Sequence, residues 1–213
     1  MKRTAVWLFA MVIAIAAALP VAAQRRVDLL VDVEGVYRQS GIDAGDGAAI
    51  YSPRFETGGG IGAGVNVWMT GRVSLEVKAA VLASEMELRF VDGDAVSVVE
   101  VGFVNMIPIS AVVQWHPFED VGVRPYFGVG VVHVIMQDVE ERAQIPRTNF
   151  GSDTGLLLNA GVRIPLSKRW AVTGDARYVP VETRGNVRFG DNDTGGALDV
   201  RPLVVSFGVA YTF

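Results

Sequence analysis

The chain has 213 residues, half of them apolar, a formal net charge of −4 and no cysteine. This length suits one domain, and the lack of cysteine excludes disulfides, thiolate metal sites and a cysteine nucleophile. The sequence has no block of basic residues, so nucleic-acid binding lacks its electrostatic basis. After residue 23 no apolar run approaches 18 residues, which excludes a bundle of membrane helices.

The start of the chain is typical of a secretory signal peptide. Lys2 and Arg3 form a positive segment, an apolar run follows, and residues 21–23 (Val-Ala-Ala) supply a small-residue cleavage site. The apolar run is too short for a membrane anchor, which needs about 20 residues. We therefore expect removal of residues 1–23, which leaves residues 24–213 as one domain.

Eight segments of alternating apolar and polar residues follow, and this period of two predicts β-strands. In chain order they are residues 27–38, 57–69, 72–90, 98–116, 121–138, 154–166, 169–189 and 198–213. Each reaches the 9–11 residues that a tilted membrane-crossing strand needs. The predicted fold class is therefore all-β, an eight-stranded antiparallel up-and-down transmembrane barrel.

The connections between these strands alternate in length. Short turns occur at residues 70–71, 117–120 and 167–168, and longer polar loops at residues 39–56, 140–153 and 190–197; the remaining turn is at residues 92–94. Short turns at one rim and longer loops at the other are typical of bacterial outer-membrane barrels. The even number of strands places both chain ends at the short-turn, periplasmic rim.

The last strand carries the most specific signal. Every second residue from Leu203 to Phe213 is large and apolar, and the residues between them are mostly small, as the crowded lumen of a small barrel requires. Phe213 with Tyr211 resembles the C-terminal signal that the barrel assembly machinery reads. We therefore expect the protein to bind the barrel assembly machinery and to lie in the lipid of the outer membrane. A soluble β-sandwich, which can end this way by chance, is the alternative.

The charged residues of the predicted strands share one face. A charge against lipid costs roughly 2–4 kcal/mol near the bilayer midplane, so this face must line the lumen. Inward residues near the periplasmic rim predict a charged plug of Glu76, Lys78, Arg124, Arg163 and Asp175. Inward residues nearer the outer rim predict an apolar upper lumen of Val36, Leu82, Met106, Val132, Val134, Leu157, Val179 and Val204. Ordinary filling of a narrow barrel is the alternative interpretation.

Residues suited to catalysis or metal binding are few. The two histidines, His116 and His133, have no serine at a recognisable spacing, and we interpret both as solvated rim residues. The glycine-rich residues 58–64 enter an alternating strand and not the helix that a phosphate loop requires, so we expect them to permit tight coiling. The acidic turns at residues 92–94 and 190–193 lack the spacing of an EF-hand. We expect no catalytic residue, metal or cofactor.

Three stretches carry motifs of a known family. Residues 113–117 (Val-Gln-Trp-His-Pro) precede Arg-Pro-Tyr-Phe-Gly-Val-Gly-Val at residues 124–131. Residues 170–183 contain Trp-x-Val, Asp-x-Arg-Tyr and Val-x-Thr, and residues 198–202 lead to the final Tyr-Thr-Phe. Together they resemble the outer membrane protein W (OmpW) family, which usually has Asp-Pro near residue 201 and ends in Tyr-Arg-Phe. The first two strands match only in pattern.

The resemblance implies an eight-stranded barrel with an apolar channel, without catalytic residues. The family is associated with passage of small hydrophobic molecules and with their exit sideways through the wall. The upper-lumen residues fit this role and are our candidates for ligand contact. A structural or adhesive barrel of the OmpA or OmpX type, acting through its loops, is the second hypothesis, and the low histidine count disfavours an outer-membrane enzyme.

Overall fold

A computed structural model of the protein describes residues 26–37, 50–55, 57–92, 95–118, 122–137, 148–149, 153–179, 181–189, 192–200 and 202–213. The strands are β1 (Val27–Tyr37), β2 (Ile50–Phe55), β3 (Gly58–Trp68), β4 (Val73–Asp92), β5 (Ala95–Trp115), β6 (Arg124–Gln137), β7 (Thr148–Asn149), β8 (Asp153–Pro165), β9 (Trp170–Tyr178), β10 (Val181–Phe189), β11 (Asn192–Val200) and β12 (Leu203–Thr212). Within these residues no helix is long and apolar enough to cross a membrane.

Eight of these strands close into one antiparallel barrel. Around the ring they follow the order β1, β3, β4, β5, β6, β8, β9 and β12, and β12 pairs back with β1. The closing ladder runs from Asp28 opposite Thr212 to Tyr37 opposite Leu203. The start of β1 and the end of β12 therefore lie at the same rim. This rim also carries the tight turns between β3 and β4 and between β8 and β9, and we call it the short-turn rim. The predicted all-β barrel is confirmed.

The two faces of each strand differ as a membrane barrel requires. On β1 the exposed fractions of Val31 and Val33 are 47% and 59%, whereas those of Asp32 and Glu34 are 8% and 7%. Apolar side chains thus cover the outside of the ring and charged ones fill its inside. A soluble sandwich would place its apolar face inward, so this inverted pattern excludes that alternative.

The long-loop rim differs from the prediction. The single strand predicted over residues 169–189 is two strands, β9 and β10, and most of the predicted loop 190–197 belongs to β11. β10 pairs with β11 and β7 in a separate small sheet, and β2 pairs with the upper part of β4. In the sequence, Pro180 separates β9 from β10 and Pro202 separates β11 from β12. Proline interrupts a strand because it has no N–H for the hydrogen-bonded ladder. Alternation along the sequence does not show where a strand leaves the barrel wall and the chain enters another sheet. Residues 1–25 and 93–94 lie outside the described residues.

One irregularity of the wall lies above the predicted lumen residues. The register of β4 against β5 shifts by one residue between Met86 and Glu87. Such a bulge reverses which side chains point inward above it. Leu82 and Met106 face each other below the bulge, so their inward parity is preserved.

Candidate functional site

Alternation along four strands brings eight charged side chains into the lower lumen. All are buried, and we call them the lower-lumen plug: Asp28, Asp32 and Glu34 of β1, Glu76 and Lys78 of β4, Arg163 of β8, and Asp175 and Arg177 of β9. Burying a charge is costly unless a partner of opposite sign lies beside it. The plug meets this requirement through three sets of ion pairs.

The first set crosses the lumen. Arg177 Nη2 lies 2.6 Å from Glu76 Oε1, and its Nε lies 2.9 Å from Asp175 Oδ1. Arg177 Nη1 also donates to Ser110 Oγ at 3.3 Å. Tyr126 completes the layer by donating to Asp175 Oδ2 at 3.2 Å. Strands on opposite sides of the ring are therefore joined through one guanidinium.

The second set depends on a strand without side chains at the point of contact. Lys78 Nζ lies 2.6 Å from Asp32 Oδ2 and 2.5 Å from Glu34 Oε1, although β3 separates β4 from β1. A Cβ at Gly62 of β3 would lie 2.5 Å from Asp32 Oδ1 and 2.6 Å from Lys78 Cε. Gly62 thus leaves space for the ion pairs between Lys78 and the two carboxylates of Asp32 and Glu34. We had predicted only that the glycine-rich residues permit tight coiling of the strand.

The third set closes the bottom of the lumen around Asp28. Arg163 Nη1 lies 2.9 Å from Asp28 Oδ2. Trp68 Nε1 donates to the same carboxylate at 2.7 Å, and Thr212 Oγ1 donates to it at 2.5 Å. The guanidinium of Arg26 lies over the Trp68 ring, 4.6 Å from its centroid. First, second, sixth and last barrel strands therefore meet at one carboxylate.

His116 is buried, so its interpretation as a solvated rim residue is wrong. Its exposed fraction is 3%, and its ring lies 4.3 Å from the ring of Trp68 and 5.3 Å from that of Tyr126. Burial, reinforced by the positive charge of Arg163, lowers the pKa of His116 from 6.5 to about 4. His116 continues the inward parity of Val112 and Gln114 on β5, and the interpretation as a rim residue considered only its position beside the turn.

The structure also supplies the serine neighbour that sequence spacing did not indicate. Ser74 Oγ lies 3.1 Å from His116 Nε2, across the β4–β5 seam. Ser74 is fully buried, so a substrate has no access to this pair. His133 lies on the exposed outer face of β6, with its Nδ1 2.8 Å from Thr154 Oγ1. Among the described residues, no group of three or more His, Cys, Asp or Glu side chains is arranged to hold a metal ion.

The eight predicted upper-lumen residues come together in two apolar clusters. Val132, Leu157 and Val179 are buried with Val112, and Val134 packs against them. On the other side of the lumen, Val36 and Leu82 are buried with Ala80, and Met106 and Val204 pack against them. The first cluster lines β5, β6 and β8 up to the end of β9, and the second lines β1, β4, β5 and β12.

The predicted plug was incomplete. Glu76, Lys78, Arg163 and Asp175 belong to it, whereas Arg124 lies half-buried at the start of β6, opposite Arg163 at the short-turn rim. The predicted set lacked Asp28, Asp32, Glu34 and Arg177, although the alternation of β1 and β9 turns all four inward. Alternation identifies the face of a residue but not the partner that a long side chain reaches across the lumen.

The amino-acid sequence matches a known protein family. The family model of the OmpW family matches residues 37–213 of this chain. The chain belongs to the OmpW family. It is similar to the outer membrane protein AlkL of Ectopseudomonas oleovorans, with 26% identity over 110 residues, 52% of this chain and 47% of that protein. This OmpW-family chain spans about half the length of the curated relatives it matches.

Solved structures share the fold. The outer membrane protein OprG of Pseudomonas aeruginosa has a TM-score of 0.74 at 16% identity, covering 88% of this chain and 95% of that one. The attachment invasion locus protein Ail of Yersinia pestis, solved with the heparin analogue sucrose octasulfate, has a TM-score of 0.52 at 12% identity, covering 90% and 100%. The OmpW-family chain is thus an outer-membrane β-barrel, and its short-turn rim is the periplasmic one.

Proposed function

We propose that this OmpW-family barrel binds small hydrophobic molecules in its upper lumen and releases them sideways into the membrane. The two facing apolar clusters carry this proposal. Val132, Leu157 and Leu82 are buried within clusters that consist only of apolar side chains, so a solute that enters between the two clusters would meet apolar contact and no charge. Transfer of apolar surface from water to such a wall is favourable by roughly 25 cal/mol per Å².

Passage straight through to the periplasm is disfavoured by the lower-lumen plug. A solute moving down from the clusters would meet the Glu76–Arg177–Asp175 layer, and displacing it would leave buried charges without partners. The same ion pairs obstruct water and ions. The proposed barrel therefore has no open aqueous pore. The buried His116 has no catalytic role in this proposal.

The seam between β8 and β9 supports a sideways exit. The β8–β9 ladder ends at Leu158 opposite Tyr178, whereas β8 continues upward to Asp153. In the part of the chain that the structure describes, this upper end of β8 has a ladder partner only in β6. Leu157 and Val179 flank the end of the seam, and both belong to the first apolar cluster. A wall with fewer hydrogen bonds opens at a lower free-energy cost.

An apolar fluorophore titrated into the refolded barrel tests the proposal. Leu82→Asp and Val132→Asp each place an unpaired charge on the apolar wall and should weaken binding about tenfold or more. Leu82→Met and Val132→Ile keep the wall apolar and serve as matched controls that should bind like the wild type. Equal binding by the Asp variants and the controls would contradict the proposal. Together with a demonstrated role for the loops, that outcome would favour the adhesive alternative.

A further inference from the structure

The periplasmic rim and the lumen differ in the charges that they carry. Between this rim and the apolar clusters, the acidic side chains that the structure describes are buried in the lumen, where basic partners lie beside them: Asp28, Asp32, Glu34, Glu76 and Asp175. The charged side chains that the structure describes as exposed or half-buried at the rim are basic: Arg26, Arg72, Arg124, Lys168 and Arg169. Arg25, Glu119 and Asp120 lie outside the described residues. The described part of the rim is therefore basic, although the whole chain has a net charge of −4.

The turn between β8 and β9 presents two of these basic residues side by side. Lys168 and Arg169 follow Ser167, whose Oγ accepts hydrogen bonds from the backbone N–H of Arg169 at 3.2 Å and of Trp170 at 3.1 Å. The N–H of Leu166 donates to the carbonyl of Trp170 at 2.8 Å. The turn is therefore closed by its own hydrogen bonds, and its exposed basic side chains leave the barrel from a defined backbone.

Aromatic rings adjoin this turn on the lipid side. Arg169 Nη1 donates to Tyr211 Oη at 3.2 Å. The ring centroid of Tyr211 lies 4.9 Å from that of Trp170 and 5.1 Å from that of Phe213, both in edge-to-face contact. Trp170 and Phe213 are 50% and 77% exposed. Such aromatic girdles lie at the level of lipid headgroups, which places Lys168 and Arg169 at the same level.

We propose that Lys168 and Arg169 bind the phosphate headgroup of an anionic phospholipid in the periplasmic leaflet, with Trp170, Tyr211 and Phe213 against its acyl chains. Guanidinium and ammonium groups are strong donors to phosphate oxygens, and the Tyr211 hydroxyl orients Arg169 before the lipid binds. Each basic side chain near an anionic lipid surface strengthens binding about fivefold. This site does not depend on the lumen, so it stands or falls separately from the proposed transport.

Native mass spectrometry of the protein extracted in a neutral detergent tests this site. Dioleoyl-phosphatidylglycerol and dioleoyl-phosphatidylcholine are titrated separately, and the apparent affinities of the lipid adducts are compared. The wild type should prefer the anionic lipid by about tenfold or more. Lys168→Gln/Arg169→Gln should reduce this preference by about 25-fold at most, and high salt should weaken the wild-type preference.

A matched variant removes the same charge at the other end of the molecule. Arg184→Gln/Arg188→Gln alters β10, beyond the long-loop rim, and should leave the lipid preference unchanged. Equal affinity of the wild type for the two lipids would overturn the proposal. An equal loss of preference in both double variants would overturn it as well, since net charge and not the rim site would then be responsible.

Discussion

Glu76 and Arg177 join opposite walls of the barrel at 2.6 Å, although they are separated by 101 residues along the chain. Their strands, β4 and β9, lie four places apart in either direction around the eight-stranded ring. Arg177 therefore ties the two halves of the barrel across the lumen, directly below the apolar clusters. This contact should stabilise the fold and, under the proposed function, it would also set the depth to which a hydrophobic solute can descend.

Removing Arg177 should strongly destabilise the barrel. Arg177→Met leaves Glu76 and Asp175 buried without their cation, which costs about 3–5 kcal/mol of unfolding free energy. Adding Glu76→Gln to this variant should restore part of the loss, since one orphaned charge disappears. Urea unfolding in lipid vesicles measures both variants. Lys168→Met, at the exposed turn between β8 and β9, is the control and should change the stability in zwitterionic vesicles by less than about 0.5 kcal/mol.

The orientation of β12 is tested by two neighbouring substitutions. Val205 is 41% exposed on the outer face, whereas Ser206 is 4% exposed in the lumen. Val205→Arg should lower the unfolding free energy by about 2–4 kcal/mol because it places a charge against hydrocarbon, while Val205→Ile should be close to neutral. Ser206→Arg should also destabilise, but through crowding of the lumen, where Ser206 lies opposite Asp175. If Val205→Arg folds as well as Val205→Ile, the assignment of the two faces is wrong.

His116 should make the barrel less stable in mild acid. Its pKa is about 4 in the folded protein against 6.5 in an unfolded chain, so the unfolded chain binds more protons between these values. The contribution is fully present above pH 6.5 and is lost as the pH falls towards 4, by about 1.4 kcal/mol per pH unit. His116→Gln should flatten this part of the curve of unfolding free energy against pH. His133→Gln, on the outer face, should not, and equal slopes for wild type and His116→Gln would contradict the burial of the ring.

Period-two alternation predicted the barrel and its two faces because lipid outside and a narrow lumen inside impose opposite polarity on successive residues. The same signal points inward at His116, which continues the buried parity of Val112 and Gln114, but its position beside a turn led to the wrong interpretation as a solvated residue. Alternation failed to divide β9 from β10, since a strand that leaves the wall keeps its alternation. Arg177 shows a second limit, because the reach of a long side chain across the lumen depends on strand order and stagger as well as on its face.

The proposed exit at the β8–β9 seam can be locked. The chain has no cysteine, so Leu157→Cys/Val179→Cys introduces one possible disulfide, next to the last paired residues of the seam. Oxidation should slow delivery of an apolar fluorophore into the vesicle membrane, and a reductant should restore it. Ala160→Cys/Ala176→Cys joins residues already paired in the ladder and should have no effect. Unchanged delivery in the oxidised Leu157→Cys/Val179→Cys variant would contradict an exit at this seam.

The central claim is that a hydrophobic molecule occupies the upper lumen, and photo-cross-linking tests it most directly. A small alkyl diazirine is activated in the presence of the folded barrel, and labelled residues are mapped by mass spectrometry. Along β8, Leu157 faces the lumen, while Leu156 and Leu158 are 62% and 52% exposed on the lipid side. The account predicts saturable labelling of Leu157, together with Leu82 and Val132, that an unlabelled apolar competitor suppresses. Labelling confined to Leu156, Leu158 and other lipid-facing residues, with no competition, would contradict it.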